Sequence, residues 1–468
     1  MSVTDQVAEA SIDYLITKAG ELGQGSVVPP GYKQTEVGVV PEDWEVKSIG
    51  YFNPFVTSGS RGWAEYYSAH GDPFVRITNL GRESIYLDMS DTKYVSLPEQ
   101  SAEGKRTQLL DGDILVSITA DIGIIGYVDE KLAKPAYINQ HISLVRFFGD
   151  NVDKKYVAYF LASENIQKLF RGSSDQGAKA GMNLNSVRSI SFAVPPQLEQ
   201  TAIANALSDV DALINAQEKL ISKKQAIKTA TMQQLLTGRT RLPQFARHPD
   251  GTKKGYKQTE LGEVPEDWEI TTIATRHQLA TGNTPPTSDS SNYGEHYLFV
   301  SPVDLGGHKY IGDTDKKLSR KGFMLARRFP AGSTLFACIG STIGKTGIAQ
   351  IDLTSNQQIN AVFPNDVDDE EFIYYVLDYI APKVKILAGE QAVPIVNKTE
   401  FGGTKYTSPT SKKEQTAIAT ILSDMDEEIQ TLQQRHNKFR QIKQGMMQEL
   451  LTGKTRLATG RETSYADK

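Results

Sequence analysis

The feature that most constrains this chain is an internal duplication. The segment GYKQTEVGVVPEDWEV begins at Gly31, and a nearly identical segment, GYKQTELGEVPEDWEI, begins at Gly255, 224 residues later. We call this segment the opening phrase. Its spacing is far longer than the roughly 20–50 residues of solenoid repeats, so it does not indicate a stack of small repeats.

A second pair of segments repeats in the same order. EQTAIANALSD begins at Glu199 and EQTAIATILSD at Glu414, while LLTGRTRL begins at Leu235 and LLTGKTRL at Leu450. Both pairs are offset by 215 residues, and we call the stretch that they bound the closing phrase. The chain therefore consists of two copies of one unit.

The sequences between the phrases hardly match each other. Insert 1 runs from about Tyr51 to Leu198, and insert 2 from about Thr275 to Lys413. A repeated frame with divergent inserts indicates one task for the frame and two different tasks for the inserts.

Composition predicts a globular protein of the cytoplasm. The chain has 468 residues, a hydrophobic fraction of 39% and a single cysteine, Cys338, which excludes an internal disulfide and a cysteine zinc cluster. The sequence has neither a signal-peptide core at its N-terminus nor an apolar run of about 18 residues. The net charge of −5 is unusual for a polyanion-binding protein. Two stretches, 222–257 and 435–457, are nevertheless basic, either because they contact phosphates or because cations favour helix C-termini.

The closing phrase predicts a long helix in each copy. The stretch from Glu199 to Leu236 contains neither Gly nor Pro, with Pro195 and Pro196 before it and Gly238 after it. Its counterpart runs from about Glu414 to Leu451. At 1.5 Å per residue each helix would be about 57 Å long, and neither could bury an apolar stripe alone. We expect the two helices to pack against each other as an antiparallel pair.

Steps of four and three residues along the closing phrase predict a coiled-coil seam. In copy one the seam positions are Ile203, Leu207, Val210, Ile214, Gln217, Ile221, Lys224, Lys228, Thr231 and Leu235. In copy two they are Ile418, Leu422, Met425, Ile429, Leu432, His436, Phe439, Lys443, Met446 and Leu450. The seam is weaker in the second half of copy one, and His436 is interpreted as a tolerated polar residue.

The inserts read as short strands separated by loops rich in Gly, Asn and Asp. Each opens with a Gly/Ser/Thr-rich loop, has a strand that ends in Asn or Asp, and closes with an amphipathic helix. Loops that mix aromatic, amide, hydroxyl and cationic side chains suit contacts with phosphates and base edges. The residues that we expect to contact DNA are Ser60, Arg61, Trp63, Tyr66, Tyr67, Arg76, Asn79, Lys179, Asn283, Thr284, Asn292, Tyr293 and Lys345.

The sequence contains no recognisable catalytic motif. The segment GSTIGKT at Gly340 has three residues between its glycines where a phosphate-binding loop has four. Histidine and cysteine are too sparse for a zinc site. We therefore predict neither a catalytic residue nor a bound metal.

The repeated GYKQTE.G.VPEDWE, the PP..EQ.AIA..LSD.D..I helix and the LLTG-TRL ending together resemble the DNA specificity subunit of type I restriction-modification systems. The resemblance extends from about Gly31 to Leu457. It implies an α+β fold with two β-rich target recognition domains, joined by two long antiparallel coiled-coil helices with an internal pseudo-two-fold repeat. Each recognition domain would read one half of a bipartite, asymmetric DNA site, and the helices would set the gap between the halves.

The resemblance also implies partners and domain limits. Two methyltransferase subunits would dock on the frame and restriction subunits would join them, so that S-adenosylmethionine, ATP and magnesium would belong to the partners and none would be bound by this chain. The predicted domains are an N-terminal extension with a short helix (1–30), recognition domain 1 (31–198), spacer helix 1 (199–242), a linker (243–254), recognition domain 2 (255–413), spacer helix 2 (414–457) and a polar tail (458–468).

One alternative comes from a different class of protein. Two β-rich modules on a coiled-coil spacer would also suit a scaffold that binds proteins, which the acidic net charge slightly favours. An adenine methyltransferase and a helicase-like nuclease encoded by neighbouring genes would favour the DNA specificity subunit.

Overall fold

The computed structural model describes residues 28–98, 100–174, 181–389 and 392–457, without the side chains of 172–174. The predicted N-terminal helix and the polar tail lie outside the described residues. The chain divides into two compact units, Met1–Glu218 with Arg435–Lys468 as unit 1 and Lys219–Gln434 as unit 2. Each unit therefore combines an opening phrase and its insert with parts of both closing phrases.

The helices account for both closing phrases and for short segments of the inserts. They are α1 (Ala102–Thr107), α2 (Lys154–Leu161), α3 (Glu164–Ser174), α4 (Leu184–Ser189), α5 (Gln197–Leu236), α6 (Ile273–Arg276), α7 (Arg320–Leu325), α8 (Glu370–Leu387), α9 (Lys398–Gly402) and α10 (Lys412–Leu450). Helices α5 and α10 begin and end within two residues of the predicted helical stretches Glu199–Leu236 and Glu414–Leu451. No helix in the described ranges is both long and apolar enough to cross a membrane.

In unit 1, insert 1 contains two four-stranded sheets. Its strands are β1 (Tyr32–Thr35), β2 (Gly38–Pro41), β3 (Glu45–Ser48), β4 (Phe55–Ser58), β5 (Tyr67–Ser68), β6 (Asp72–Val75), β7 (Lys93–Val95), β8 (Ile114–Ser117), β9 (Ile125–Tyr127), β10 (Tyr137–Ile138), β11 (Ile142–Arg146) and β12 (Ser191–Val194). The sheet orders are β10-β6-β7-β5 and β4-β11-β8-β9. Strands β1 and β2 form a hairpin within the opening phrase, and β3 pairs with β12 as the chain enters and leaves the insert.

Unit 2 repeats this plan with two five-stranded sheets. Its strands are β13 (Tyr256–Thr259), β14 (Gly262–Pro265), β15 (Trp268–Thr272), β16 (Leu279–Thr281), β17 (Tyr293–Gly294), β18 (Tyr297–Val300), β19 (Tyr310–Ile311), β20 (Lys316–Leu318), β21 (Arg328–Phe329), β22 (Thr334–Ala337), β23 (Thr346–Ala349), β24 (Leu353–Ser355), β25 (Ile359–Val362) and β26 (Lys405–Pro409). The orders are β16-β25-β22-β23-β19 and β17-β20-β18-β24-β21. Strand β15 pairs with β26, as β3 pairs with β12 in unit 1.

In each unit a large apolar cluster includes residues of both the insert and the frame. In unit 1 the buried Trp44 of the opening phrase packs with Ile203 and Leu207 near the start of α5 and with Leu450 near the end of α10. In unit 2 Trp268 packs in the same cluster as Leu422 of α10 and Leu235 and Leu236 of α5. Burial of each such side chain stabilises the fold by about 1.5–3 kcal/mol.

Helices α5 and α10 are antiparallel within each unit. In unit 1, Lys443 near the end of α10 forms an ion pair with Asp211 in the first half of α5. In unit 2, Lys228 in the second half of α5 forms an ion pair with Asp426 in the first half of α10. Every predicted seam position of both copies is buried or half-buried.

Candidate nucleic-acid interface

An arginine at the end of each closing phrase forms ion pairs with the opening phrase of the other copy. In unit 1 the guanidinium of Arg456 donates to both carboxylate oxygens of Asp43 and to Glu199, at 2.5–3.0 Å. In unit 2 Arg241 binds Asp267 and Glu414 in the same manner, at 2.6–2.8 Å. The paired, bidentate geometry fixes where each long helix ends relative to the insert that precedes the other helix.

The arginine contacts lower the pKa of the aspartate that they bind in each unit. Burial alone would raise the pKa of Asp267, but hydrogen bonds from Arg241 and Lys254 outweigh it and lower that pKa to about 2. In unit 1 the hydrogen bond from Arg456 lowers the pKa of Asp43. Both carboxylates are therefore ionised at neutral pH and hold their arginines in place.

A second repeated cluster attaches each insert to both long helices. In unit 1 the hydroxyl of Tyr159 on α2 donates to Asp211 at 2.7 Å, and Asp211 accepts from Lys443 at 2.7 Å. In unit 2 Tyr375 on α8 donates to Asp426 at 2.7 Å, and Asp426 accepts from Lys228 at 2.5 Å. We call these clusters the Tyr–Asp–Lys triads. Each triad joins three helices.

The triads explain why two lysines occupy seam positions. Burial, followed by the charge of Asp211, raises the pKa of Tyr159, so its hydroxyl stays protonated and donates. From the sequence alone, Lys228 and Lys443 are polar seam positions with no assigned partner. A signal for their shared role was present, because the two copies carry the same lysine and the same aspartate 215 residues apart.

In insert 1, Arg106 of α1 fastens the first loop. Its guanidinium donates to Thr57, to the carbonyl of Ser58 at 2.6 Å and to the hydroxyl of Ser60 at 2.9 Å. Arg61 follows directly and is exposed. The predicted loop residues Ser60 and Arg61 thus lie together on a loop whose base is anchored.

Several residues of insert 1 that we expected to contact DNA have an internal role. Trp63 is 4% exposed and stacks on Phe74 with 4.8 Å between ring centroids. Asn79 is 1% exposed and accepts from the backbone N–H of Arg76 in a capping box. The Arg76 side chain binds Asp91 at 2.9 Å. These groups shape the loops rather than present a free edge to a base. Tyr66 is half-buried and Tyr67 is half exposed.

The Asn or Asp that follows a strand in each insert stabilises a turn. Asp304 accepts from the backbone N–H of Ser301, as Asn79 does from that of Arg76. Each residue is the last residue of a 3₁₀ turn, Ile77–Asn79 or Pro302–Asp304, that follows a buried strand, and it completes the capping box of that turn. The shared pattern in the two inserts is therefore a turn signal.

In insert 2 the predicted residues gather around α7. The amide of Asn283 accepts from the backbone N–H of Arg327 at 2.6 Å and donates to the carbonyl of Leu325 at 3.3 Å. Thr284 is exposed and donates to Gln357. Asn292 is buried and donates to the carbonyl of Pro286, which does not fit the DNA contact predicted for it. Tyr293 is half-buried, and its hydroxyl donates to the carbonyl of Pro285.

The two remaining predicted residues lie elsewhere. Lys345 is exposed and lines a cleft of about 1320 Å³ in unit 2, whose other wall comes from α5 and α10. Lys179 lies outside the described residues. The structure thus brings Asn283, Thr284 and Tyr293 together and separates them from Lys345. Sequence reasoning missed the exposed cations of α7.

The described residues offer no group of three or more His, Cys, Asp or Glu that could hold a metal ion. Cys338 is buried, and burial raises the pKa of its thiol to about 12, so it remains protonated at neutral pH. The cysteine is therefore unsuited to act as a nucleophile.

Comparison with known proteins places the chain among specificity subunits. It is 27% identical over 439 residues to the putative type I restriction enzyme MjaX specificity subunit of Methanocaldococcus jannaschii, covering 92% of this chain and 97% of that protein. The HindI specificity subunit of Haemophilus influenzae is 29% identical over 189 residues, or 38% of this chain and 40% of that protein. The crystal structure of the S subunit from M. genitalium matches in fold with a TM-score of 0.55 at 13% identity, over 87% of this chain and 96% of that one.

The profile of one family matches both copies of the repeat. It is described as the type I restriction modification DNA specificity domain, and it matches residues 41–228 and 265–441. Each match includes one insert and most of the helix that follows it. The chain therefore belongs to the family of type I restriction-modification DNA specificity proteins.

Proposed function

We propose that this chain is the non-catalytic specificity subunit of a type I restriction-modification complex. Insert 1 reads one half of a bipartite, asymmetric DNA site, insert 2 reads the other half, and α5 with α10 sets the gap. One observation carries the proposal. The two units repeat the same arginine–carboxylate contacts, made by Arg456 and by Arg241, and the same Tyr–Asp–Lys triad, whereas the exposed side chains of the insert loops differ.

The repeated frame supports two methyltransferase subunits for each copy of this chain, because equivalent surfaces in the two units can bind the same partner twice. Restriction subunits complete the complex. S-adenosylmethionine, ATP and magnesium are bound by these partners. Native mass spectrometry of the co-expressed subunits tests the stoichiometry, and a final complex with one methyltransferase per chain would contradict it.

An exchange of inserts tests the division of labour. Residues 51–198 are replaced by the corresponding insert of a relative with a different target, and methylome sequencing of the host then identifies the methylated sites. We expect a new sequence in one half-site and the parental sequence in the other. The matched exchange of residues 275–413 should change the other half only. If either exchange altered both half-sites, the modular proposal would be wrong.

A further inference from the structure

Helix α7 and the strand after it form an unusual surface of insert 2. Within Arg320–Phe329 four cations are exposed, namely Arg320, Lys321, Arg327 and Arg328, and the segment contains no acidic residue. Between them Met324 and Leu325 are 65% and 55% exposed. Single exposed apolar side chains are common, but two adjacent ones enclosed by four cations are not explained by chance exposure alone.

Contacts on its inner face anchor this segment, although Met324 and Leu325 on its outer face are exposed. Ser319 caps α7 by accepting from the backbone N–H of Gly322. A Cβ atom at Gly322 would lie 2.0 Å from the carbonyl oxygen of Asn292, so only glycine allows this close approach. On the inner face Phe323 stacks on Tyr297 with 4.3 Å between ring centroids, and Ala326 is buried.

The neighbouring loop ties the same segment from its other end. The backbone N–H of Arg327 donates to the amide oxygen of Asn283, and its guanidinium donates to the carbonyl of Thr281 at 2.5 Å. The apolar side chains of Met324 and Leu325 are therefore presented outward by a pre-organised element, at little further entropic cost on binding.

The charge of this surface indicates which class of ligand binds it. Among the described residues, Asp289 is the acidic side chain that pairs with the segment, through Lys321 at 2.6 Å. Three of the four cations retain an uncompensated charge, which favours a polyanion. Double-stranded DNA combines a phosphate backbone with an apolar group in its major groove, the C5-methyl of thymine.

We propose that Arg320–Phe329 is the DNA-reading surface of insert 2. Its cations contact phosphates, and Met324 with Leu325 packs against thymine methyl groups, so that the half-site read by insert 2 contains an A·T pair at this position. This inference rests on the proposed function and names the residues that carry its specificity.

The equivalent helix of insert 1 is built in the same way but carries different chemistry. Ser101 caps α1 by accepting from the backbone N–H of Gly104, as Ser319 does in α7. In α1, however, Arg106 turns inward to fasten the loop of Ser60, and Lys105 is the cation left exposed. Two inserts that present different side chains from the same element fit two different half-sites.

The test uses the full chain with its methyltransferase partner and duplex DNA of the site found by methylome sequencing. Thymines of the insert 2 half-site are replaced one at a time by deoxyuridine, which removes only the C5-methyl group. Parental affinity should fall about fourfold at each contacted thymine, as expected for one buried methyl group. The double variant M324A/L325A should bind thymine and deoxyuridine DNA equally well.

The control and the cation variants separate this inference from related outcomes. Val303→Ala removes an apolar side chain that is 72% exposed in the same unit, in a stretch, 300–307, whose sequence contains no cation, and it should behave as the parent does. The pair R320A/R328A should weaken binding to all sequences and flatten its salt dependence. The inference would be wrong if M324A/L325A lost as much affinity as the parent does when thymine is replaced by deoxyuridine. It would also be wrong if the half-site contained no A·T pair. A parental complex that binds no specific site would instead refute the proposed function.

Discussion

At the residue scale, the frame depends on charges that are buried in pairs. The side chains of Lys443 and Asp211 are 8% and 3% exposed, and Arg241 and Glu414 are 5% and 2% exposed. Removing such groups from water is unfavourable, and their mutual attraction offsets this cost only when both partners are present. Loss of one partner should therefore be far more damaging than loss of both.

A pair of variants at the first triad tests this asymmetry. Lys443→Met leaves Asp211 buried with Tyr159 as its remaining side-chain donor, and the free energy of unfolding should fall by about 3–5 kcal/mol. The double change K443M/D211L removes both charges and should recover most of that loss. Lys438→Met, at an exposed position of the same helix, should change stability by less than about 0.5 kcal/mol. Equal losses for K443M and K443M/D211L in denaturant titrations would contradict this account.

At the scale of elements, the sequence predicts the helices well and the loops poorly. Stop signals on both sides of the first closing phrase place α5 within two residues of its observed limits, and the repeat places α10 equally well. A single amide carries no such signal. Asn79 and Asn292 belong to the residue types that contact bases, but the fold buries both to close turns. Lys179, beyond the described residues, stays a prediction.

The ends of the long helices also show why the phrase LLTG occurs twice. Gly453 has φ +67°, and a Cβ atom there would lie 2.4 Å from the Cγ of Pro41. Gly238 has φ +71°, and a Cβ atom there would lie 2.4 Å from the Cδ of Pro265. Each helix thus ends in a left-handed glycine that packs against the proline of an opening phrase, a position where a side chain does not fit.

A glycine just beyond the end of α10 and a glycine inside α10 should respond in opposite directions when each is replaced by alanine. Gly453→Ala places a side chain in a left-handed conformation and against Pro41, which should lower the free energy of unfolding by about 2–4 kcal/mol. Gly445 lies inside α10, and open space surrounds the Cβ atom that Gly445→Ala adds. Because alanine favours a helix more than glycine does, the free energy of unfolding should rise by about 0.5–1 kcal/mol. Thermal unfolding of both variants measures the difference. A neutral Gly453→Ala would show that the end of α10 is not held by this contact.

At the scale of the whole molecule, the linear copies are not the spatial units. The tail of α5 belongs to unit 2 and the tail of α10 to unit 1, so each insert is completed by the closing phrase of the other copy. The duplication alone cannot reveal this exchange, because both closing phrases fit both opening phrases in sequence. Charge pairs between distant segments, such as Arg456 with Asp43, decide it.

This arrangement sharpens the proposal that α5 and α10 measure the DNA gap. His436 of α10 pairs with Glu218 of α5 at 3.0 Å, so these residues lie opposite each other in the antiparallel pair. Four residues inserted after Gln217, matched by four after Arg435, would lengthen the pair by about 6 Å and rotate it by about 40° beyond a full turn. DNA advances about 3.4 Å and turns about 34° per base pair. The added length and rotation therefore correspond together to one or two base pairs.

We expect the matched four-residue insertion to preserve both half-sites and to widen the gap between them by one or two base pairs. Matched insertions of two residues rotate the apolar seam by about 200° towards solvent and should abolish methylation. Single-molecule methylome sequencing of hosts carrying each variant reads the half-sites and the gap in one experiment. An active four-residue variant with the parental gap would mean that the helices hold the units together without setting the distance. A lengthened gap at unchanged half-sites would assign the measurement of distance to α5 and α10 and the reading of sequence to the inserts.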